Sequence, residues 1–216
     1  EIILCLNYDG LYGINNINHM LQAANPNTPT SWGLHTFKKG DPILFNESNR
    51  FAPVLYNNLK GRITSLRKIT SDTLEVEVEV EIPLNAMEVS EVEGLEYIDS
   101  TPEGKTRLRF TITEYDEDEN GDSSKTSVVP FQIAYAVSIH KAQGLEYESV
   151  KIVVTKDVET RISHSIFYTA ITRAKNSLTI YWSPETEHKV IKGLSHVDYG
   201  KDCQLLAHKN GFNLLR

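Results

Sequence analysis

Two segments whose first residues lie 30 positions apart concentrate side chains suited to phosphates and sugars: Ser138-Ile139-His140-Lys141-Ala142-Gln143-Gly144-Leu145-Glu146-Tyr147 and Tyr168-Thr169-Ala170-Ile171-Thr172-Arg173-Ala174-Lys175. The first follows an apolar run, Ile133 to Val137. Read as a strand, that run delivers Ser138 and His140 to its carboxyl end, where open α/β sheets place their ligands. The Ser138 hydroxyl, His140 and Lys141 suit the phosphates of a bound strand. Gln143-Gly144 permits close backbone approach, since Gly carries no Cβ. Glu146 suits ribose hydroxyls as an acceptor. Any one of these residues is explained by an ordinary polar turn; the ordered set His-Lys-x-Gln-Gly-x-Glu-Tyr is much harder to explain that way.

The second segment reads as a helix beginning after an N-cap at Ser163 and running to Ala174. On it Tyr168, Ile171 and Thr172 share one face, and Thr169 and Arg173 share another. A helical surface Arg usually pairs with a carboxylate. Presented from a rigid element beside the first segment, however, the Arg173 guanidinium has the shape to stabilise charge on a transferring phosphoryl group, as an arginine finger does.

The elements that must position these residues follow from periodicity. Residues 2–6 read as a buried strand, and Ile14, Ile17, Met20 and Leu21 recur at helical spacing over 14–24, before Asn25-Pro26-Asn27. From about residue 36 short strands alternate with turns: one after Phe37 to Pro42, one from Gly61, and one over Leu74 to Ile82, where Val76, Val78 and Val80 face one way and Glu the other. A fourth covers Arg107 to Ile112, followed by an acidic turn over 116–122. The α/β pattern resumes after Pro130, with strands at Val150 to Val154 and Ser177 to Trp182 and a helix starting at Pro184. A further helix is read over 203–208, stopped at Gly211. The expected fold is α/β: a parallel sheet built from 1–35 and 127–216, split by a β-rich insert at 36–126.

The formal charge of −7 is unevenly spread. Residues 72–126 hold 17 acidic against 4 basic side chains, and the rest of the chain 12 against 18. The insert is expected to repel phosphate while the flanks attract it. No apolar run is long enough for a membrane span. Cys5 and Cys203 are isolated, which fits neither a zinc site nor a disulfide framework, and the remaining histidines are scattered, so no metal site is expected. A reducing, cytoplasmic setting follows as the default. The chain opens on Glu1 within a strand-like run, so a segment upstream is expected.

Four pieces in order resemble a RecD-like superfamily 1 DNA helicase. Ile3 to Pro26, with Gly13-Ile14-Asn15-Asn16-Ile17-Asn18, is similar to that family's fourth motif region. Lys39-Gly40-Asp41 through Gly61 is similar to the start of its SH3-like inserted barrel. Ala134 to Gly144 resembles motif V, and Tyr168 to Lys175 motif VI. The resemblance implies a RecA-like second motor domain with an SH3-like insert. It implies ATP and Mg2+ held between this domain and an N-terminal RecA-like domain, with Arg173 as the catalytic arginine. Gln143, Gly144 and Glu146 would meet or couple the nucleotide; Ser138, His140, Lys141 and Thr169 would contact single-stranded DNA or relay the ATP state. Movement from 5′ to 3′ is typical of that branch, and recombination or repair proteins are possible partners.

No Gly-x-x-x-x-Gly-Lys-Ser/Thr occurs in the sequence, so the phosphate cradle is not supplied here. No Gly-x-Ser-x-Gly and no His-Glu-x-x-His directs the reading to a hydrolase or zinc peptidase. The chain alone is therefore expected to be inactive as an ATPase. The alternative class is a non-catalytic nucleic-acid or protein binding module derived from a helicase.

Overall fold

A computed structural model describes residues 1–46, 50–117, 124–158 and 161–195; for 115–117, 124–127 and 195 it describes the backbone alone. The reading of a helix at 203–208 and most of the acidic turn lie outside the described residues. The first layer is a parallel sheet of β1 (Ile2–Cys5), β11 (Ala136–Ser138), β12 (Tyr147–Val153) and β13 (Ala174–Tyr181), in the order β11-β1-β12-β13. Strand alternation divides β1 between two cores. Ile3 and Cys5 meet α1 (Ile14–Ala24), through Ile14 and Ile17. Ile2 and Leu4 join the opposite core, with Ala170 of α3 (His164–Ile171) and Val190 of α4 (Pro184–Ser195). Helices thus cover both faces, as a parallel sheet requires.

Local chemistry sets these elements. Gly13 precedes α1 because a Cβ there would lie 2.4 Å from the Asp9 carbonyl oxygen. On α1, Met20 is left 57% exposed although it falls at helical spacing with the apolar residues. Asn18 Nδ2 donates to the Ala136 carbonyl at 2.9 Å, and Asn18 Oδ1 accepts from the Ala136 amide at 2.8 Å. That pair completes the free edge of β11, which would otherwise leave backbone groups unpaired. The Ser163 hydroxyl caps α3 by accepting from the Ile166 amide at 3.3 Å.

The second layer is antiparallel: β4 (Pro42–Phe45), β5 (Lys60–Lys68), β6 (Thr73–Val80), β7 (Leu95–Ser100), β8 (Thr106–Glu117), β9 (Ser124–Ser127) and β10 (Phe131–Ile133), in the order β10-β4-β5-β6-β8-β7 with β9 on β8. A hairpin of β2 (Pro29–Trp32) and β3 (His35–Lys38) and a short helix α2 (Ala86–Ser90) accompany it. The sheet curls strongly. Strands β10 and β8 are four places apart, about 19 Å if flat at the usual strand spacing, yet the Phe131 and Phe110 ring centroids are 6.2 Å apart. The inner face is one core, from Trp32 and Phe37 through Val76, Val78 and Val80 to Phe131. Among the described residues no pairing of β7 with β10 closes a barrel.

One expectation needs correction. The run Ile133 to Val137 is not one strand: Phe131–Ile133 pairs with β4 in the antiparallel sheet, and Ala136–Ser138 pairs with β1 in the parallel one. The antiparallel layer therefore extends past residue 126 to 133. On β6 the valines face the core as read, and the outward glutamates meet cations on or next to neighbouring strands. Glu77 faces Arg109 across β6 and β8 at 2.7 Å, Glu79 meets Lys105 at 3.0 Å, and Arg67 of β5 meets Glu75 at 2.9 Å. Such partly exposed pairs each contribute under about 1 kcal/mol, but they balance the glutamates that face outward.

Cys5 is fully buried, and burial pushes its thiol up to about 12. The thiolate, which is the reactive form, is thus suppressed in the folded chain. Alkylation of the native chain at pH 8, followed by peptide mass spectrometry, is expected to modify Cys5 at least about a hundredfold more slowly than in the unfolded chain. Equal rates would mean that this face of β1 opens readily.

Candidate nucleotide and nucleic-acid site

The crossover from β11 to β12 carries the first motif and spans the sheet lengthwise. Ser138 is level with Cys5, one residue beyond the Leu4–Ile152 pair, whereas Tyr147 opens β12 opposite Ala174. The loop between them therefore runs about 20 Å along the strand axis at 3.3 Å per residue. It begins at the carboxyl end of the sheet and finishes at the amino end.

At the carboxyl end, Ser138 is 6% exposed and its hydroxyl accepts from the Lys141 amide at 3.1 Å. It ties the turn from inside instead of facing a ligand. The Lys141 ammonium donates to Gln132 Oε1 at 2.5 Å, which anchors the same turn to β10. His140 is exposed. Gln143 and Gly144 are exposed in the middle of the crossover, and Gly144 has φ +82 with open space around a built Cβ. A left-handed backbone of this kind favours glycine.

At the amino end the two motifs meet. Arg173 lies just past the αR C-cap Thr172, not on the helix as expected: α3 ends at Ile171, because β13 starts at Ala174. The half-buried guanidinium is nonetheless fixed. Its Nε donates to the Thr169 carbonyl at 3.0 Å, one terminal nitrogen to the Leu145 carbonyl at 3.0 Å, and the other to the Thr172 hydroxyl at 3.1 Å. The Thr172 hydroxyl in turn donates to the Tyr168 carbonyl at 2.8 Å. The Arg173 carbonyl accepts from the Tyr147 amide at 2.9 Å. Three of the five guanidinium N–H bonds are thereby committed, and two remain for a ligand among the described residues. The exposed Glu146 carboxylate meets Lys175 at 3.4 Å.

The structure thus brings Leu145 and Glu146 together with Thr169, Arg173 and Lys175, leaves Gln143 and Gly144 exposed in the middle of the crossover, and sets Ser138, His140 and Lys141 apart at its other end. Sequence reasoning missed Asp41, which is fully buried at the base of the insert. Its carboxylate accepts from Gln22 at 2.5 Å, Asn25 at 2.8 Å, the Lys38 amide at 2.8 Å and the Tyr135 hydroxyl at 2.8 Å. Burial first, and the bond to Asp41 second, push the Tyr135 phenol up to about 12, so it stays a donor. An Asp directly after a left-handed Gly40 was the available signal. No group of three or more potential metal ligands occurs among the described residues, and no described helix is long and apolar enough to cross a membrane.

Residues 133–181, which include both motifs, match the UvrD-like helicase C-terminal domain family. An uncharacterized protein of Methanocaldococcus jannaschii is 33% identical over 86 residues, covering 40% of this chain and 7% of that protein. Among solved structures, the Pif1 helicase from Candida albicans superposes with a TM-score of 0.57 at 14% identity, over 95% of this chain and 50% of that one. A Pif1 structure described for DNA unwinding at forked double-stranded DNA gives 0.53 at 14% identity, over 99% and 46%. Bacteroides Pif1 bound to single-stranded DNA gives 0.50 at 14% identity, over 97% and 46%. The chain spans about half the length of these structures and shares their fold.

Proposed function

We propose that this chain is the second motor half of an ATP-driven superfamily 1 DNA helicase or translocase, RecD-like in branch, with the β-rich layer as its SH3-like insert. It supplies Arg173 to a nucleotide held chiefly by an N-terminal RecA-like domain of the same polypeptide. The observation that carries this reading is the hydrogen bond from Arg173 to the Leu145 carbonyl. It joins the two motif segments into one cluster, with two guanidinium N–H bonds, the open backbone at Gly144 and the exposed Gln143 and Glu146 around it. These groups fit a phosphate and ribose: donors for the one, acceptors for the other. ATP with Mg2+ would supply the transferable phosphoryl group; this chain would orient it and balance developing charge.

His140, and Lys141 on release from Gln132, serve single-stranded DNA at the carboxyl end of the crossover. Ser138 acts through the turn it ties, and Thr169 through the carbonyl that holds Arg173. The crossover then links nucleic acid at one end of the sheet to nucleotide at the other. The direct test is ATP hydrolysis by the polypeptide in which this chain is joined to its ATP-binding domain, with and without oligo(dT). Hydrolysis that oligo(dT) leaves unchanged counts against the reading.

A half groove binds weakly and through phosphates. With about three phosphate contacts, affinity of the chain for oligo(dT) is expected to fall roughly twentyfold between 50 and 200 mM salt. Fluorescence anisotropy across that range checks it; a tight, salt-independent complex would contradict the proposed track.

A further inference from the structure

Lys60 opens β5 and reaches out of the antiparallel layer. Its ammonium pairs with the Glu81 carboxylate at 3.0 Å, just beyond β6, and donates to the Glu146 carbonyl at 3.0 Å. It also lies 4.6 Å from the centre of the Tyr147 ring. Tyr147 is buried, and its hydroxyl has no hydrogen-bond partner among the described residues. A polar cavity of about 130 Å³ sits at this junction, lined by Glu1, Arg62, Glu81 and Ala134 as well as Lys60 and Tyr147. The contacts continue inward: the Tyr147 amide donates to the Arg173 carbonyl at 2.9 Å, and the Glu146 side chain meets Lys175 at 3.4 Å.

An exposed lysine in a single ion pair would do little. Lys60 differs in two respects. Its side chain is 26% exposed, so its attraction to the ring is partly desolvated. Its three partners also belong to both layers, so the position of β5 fixes the corner at Glu146–Tyr147. The alkyl stem alone cannot do this, since the carbonyl and the ring both respond to the cation.

We propose that Lys60 is a positioning residue that transmits the placement of the inserted sheet to the Glu146–Tyr147 corner, and through that corner to Arg173. The mechanical link stands on this chain alone; only its consequence for hydrolysis rests on the function proposed above.

Amide hydrogen exchange of the 216-residue chain tests the link. In Lys60→Met the amides of Leu145 and Tyr147 are expected to exchange about tenfold faster, as losing one charge-assisted bond and one cation–π contact implies. Amides of Val76, Val78 and Leu108 in the insert core should stay at wild-type rates. Lys60→Arg should restore protection to within about twofold, because it keeps the cation. Glu81→Gln, which removes one partner and leaves the lysine, should fall between and serves if Lys60→Met does not fold. Unchanged exchange at Leu145 and Tyr147, or parallel acceleration throughout the chain, overturns the proposal. If exchange responds while hydrolysis in the joined polypeptide is indifferent to Arg173, the link stands and the nucleotide reading falls. If the corner does not respond, the link falls whatever the hydrolysis shows.

Discussion

Arg173→Ala is expected to lower DNA-stimulated ATP hydrolysis by roughly a thousandfold, the lower end of what an arginine in this role contributes to phosphoryl transfer. In the proposed role the loss should fall on kcat, with a smaller change in the KM for ATP, because the charge Arg173 would balance develops in the transition state. The same side chain also has a local duty. It closes the Thr169, Leu145 and Thr172 acceptors at about 3 Å, so removing it should also cost on the order of 1 kcal/mol of stability. Arg173→Lys separates the two duties. Lysine keeps the charge as a compact ammonium but cannot bridge three acceptors and still offer two donors. It should retain most of the melting temperature while recovering less than about a tenth of the lost rate. Hydrolysis by Arg173→Ala within a few-fold of wild type would remove Arg173 from the chemistry. Full rescue by Lys would reduce its role to charge alone.

Much of the framework is legible in the sequence because burial repeats there with a clear period. The helix from Ile14 to Ala24 is set by Ile14 and Ile17 on one face, and β6 by Val76, Val78 and Val80 against three glutamates. What was not legible depends on partners distant in sequence. The hairpin of β2 and β3 buries only Trp32 and Phe37 deeply and is otherwise polar, so no periodic stripe marks it. Its one local signal is Gly33 in a left-handed conformation at the turn. Helix α2 is a single capped turn whose Asn85 and Glu88 form a capping box, a pattern too short to stand out without its context. The break between Ile133 and Ala136 has no signal in hydropathy, since both halves are apolar and differ only in which sheet receives them.

The candidate site divides along the same line. Residue type and order marked both motif segments, and the hydrogen bond from Arg173 to the Leu145 carbonyl gives that order a geometry. Sequence spacing could not show that the crossover runs the length of the sheet, because that is fixed by register: Ser138 beside Cys5, Tyr147 beside Ala174. Nor could it show that Ser138 turns inward. A serine after a strand reads as a surface donor, whereas here its hydroxyl holds the Lys141 amide.

Asp41→Ala is expected to destabilise the chain by about 3 kcal/mol, which for a domain of this size lowers the melting temperature by roughly 6–12 °C. The reasoning rests on what would be left behind. Four donors from three separate parts of the chain converge on one buried carboxylate: Gln22 and Asn25 at the end of α1, the Lys38 amide at the end of β3, and the Tyr135 hydroxyl in the link between the two sheets. Removing the acceptor leaves them facing a space the size of a carboxylate group, and each buried donor without a partner costs about 1–3 kcal/mol before water relieves it. Asp41→Asn keeps one carbonyl oxygen but turns an NH2 group toward donors, so it should recover less than half of the loss. Tyr135→Phe removes only one of the four donors and should cost about 1 kcal/mol. These substitutions share one acceptor, so Asp41→Ala combined with Tyr135→Phe should be less destabilising than the two changes summed. Additivity in urea unfolding, or a loss under about 0.5 kcal/mol for Asp41→Ala, would mean that the junction is held by its apolar contacts alone. The predicted coupling would instead mark Asp41 as the polar centre from which the inserted sheet is mounted at the amino end of the parallel one, the same end at which Arg173 is fixed.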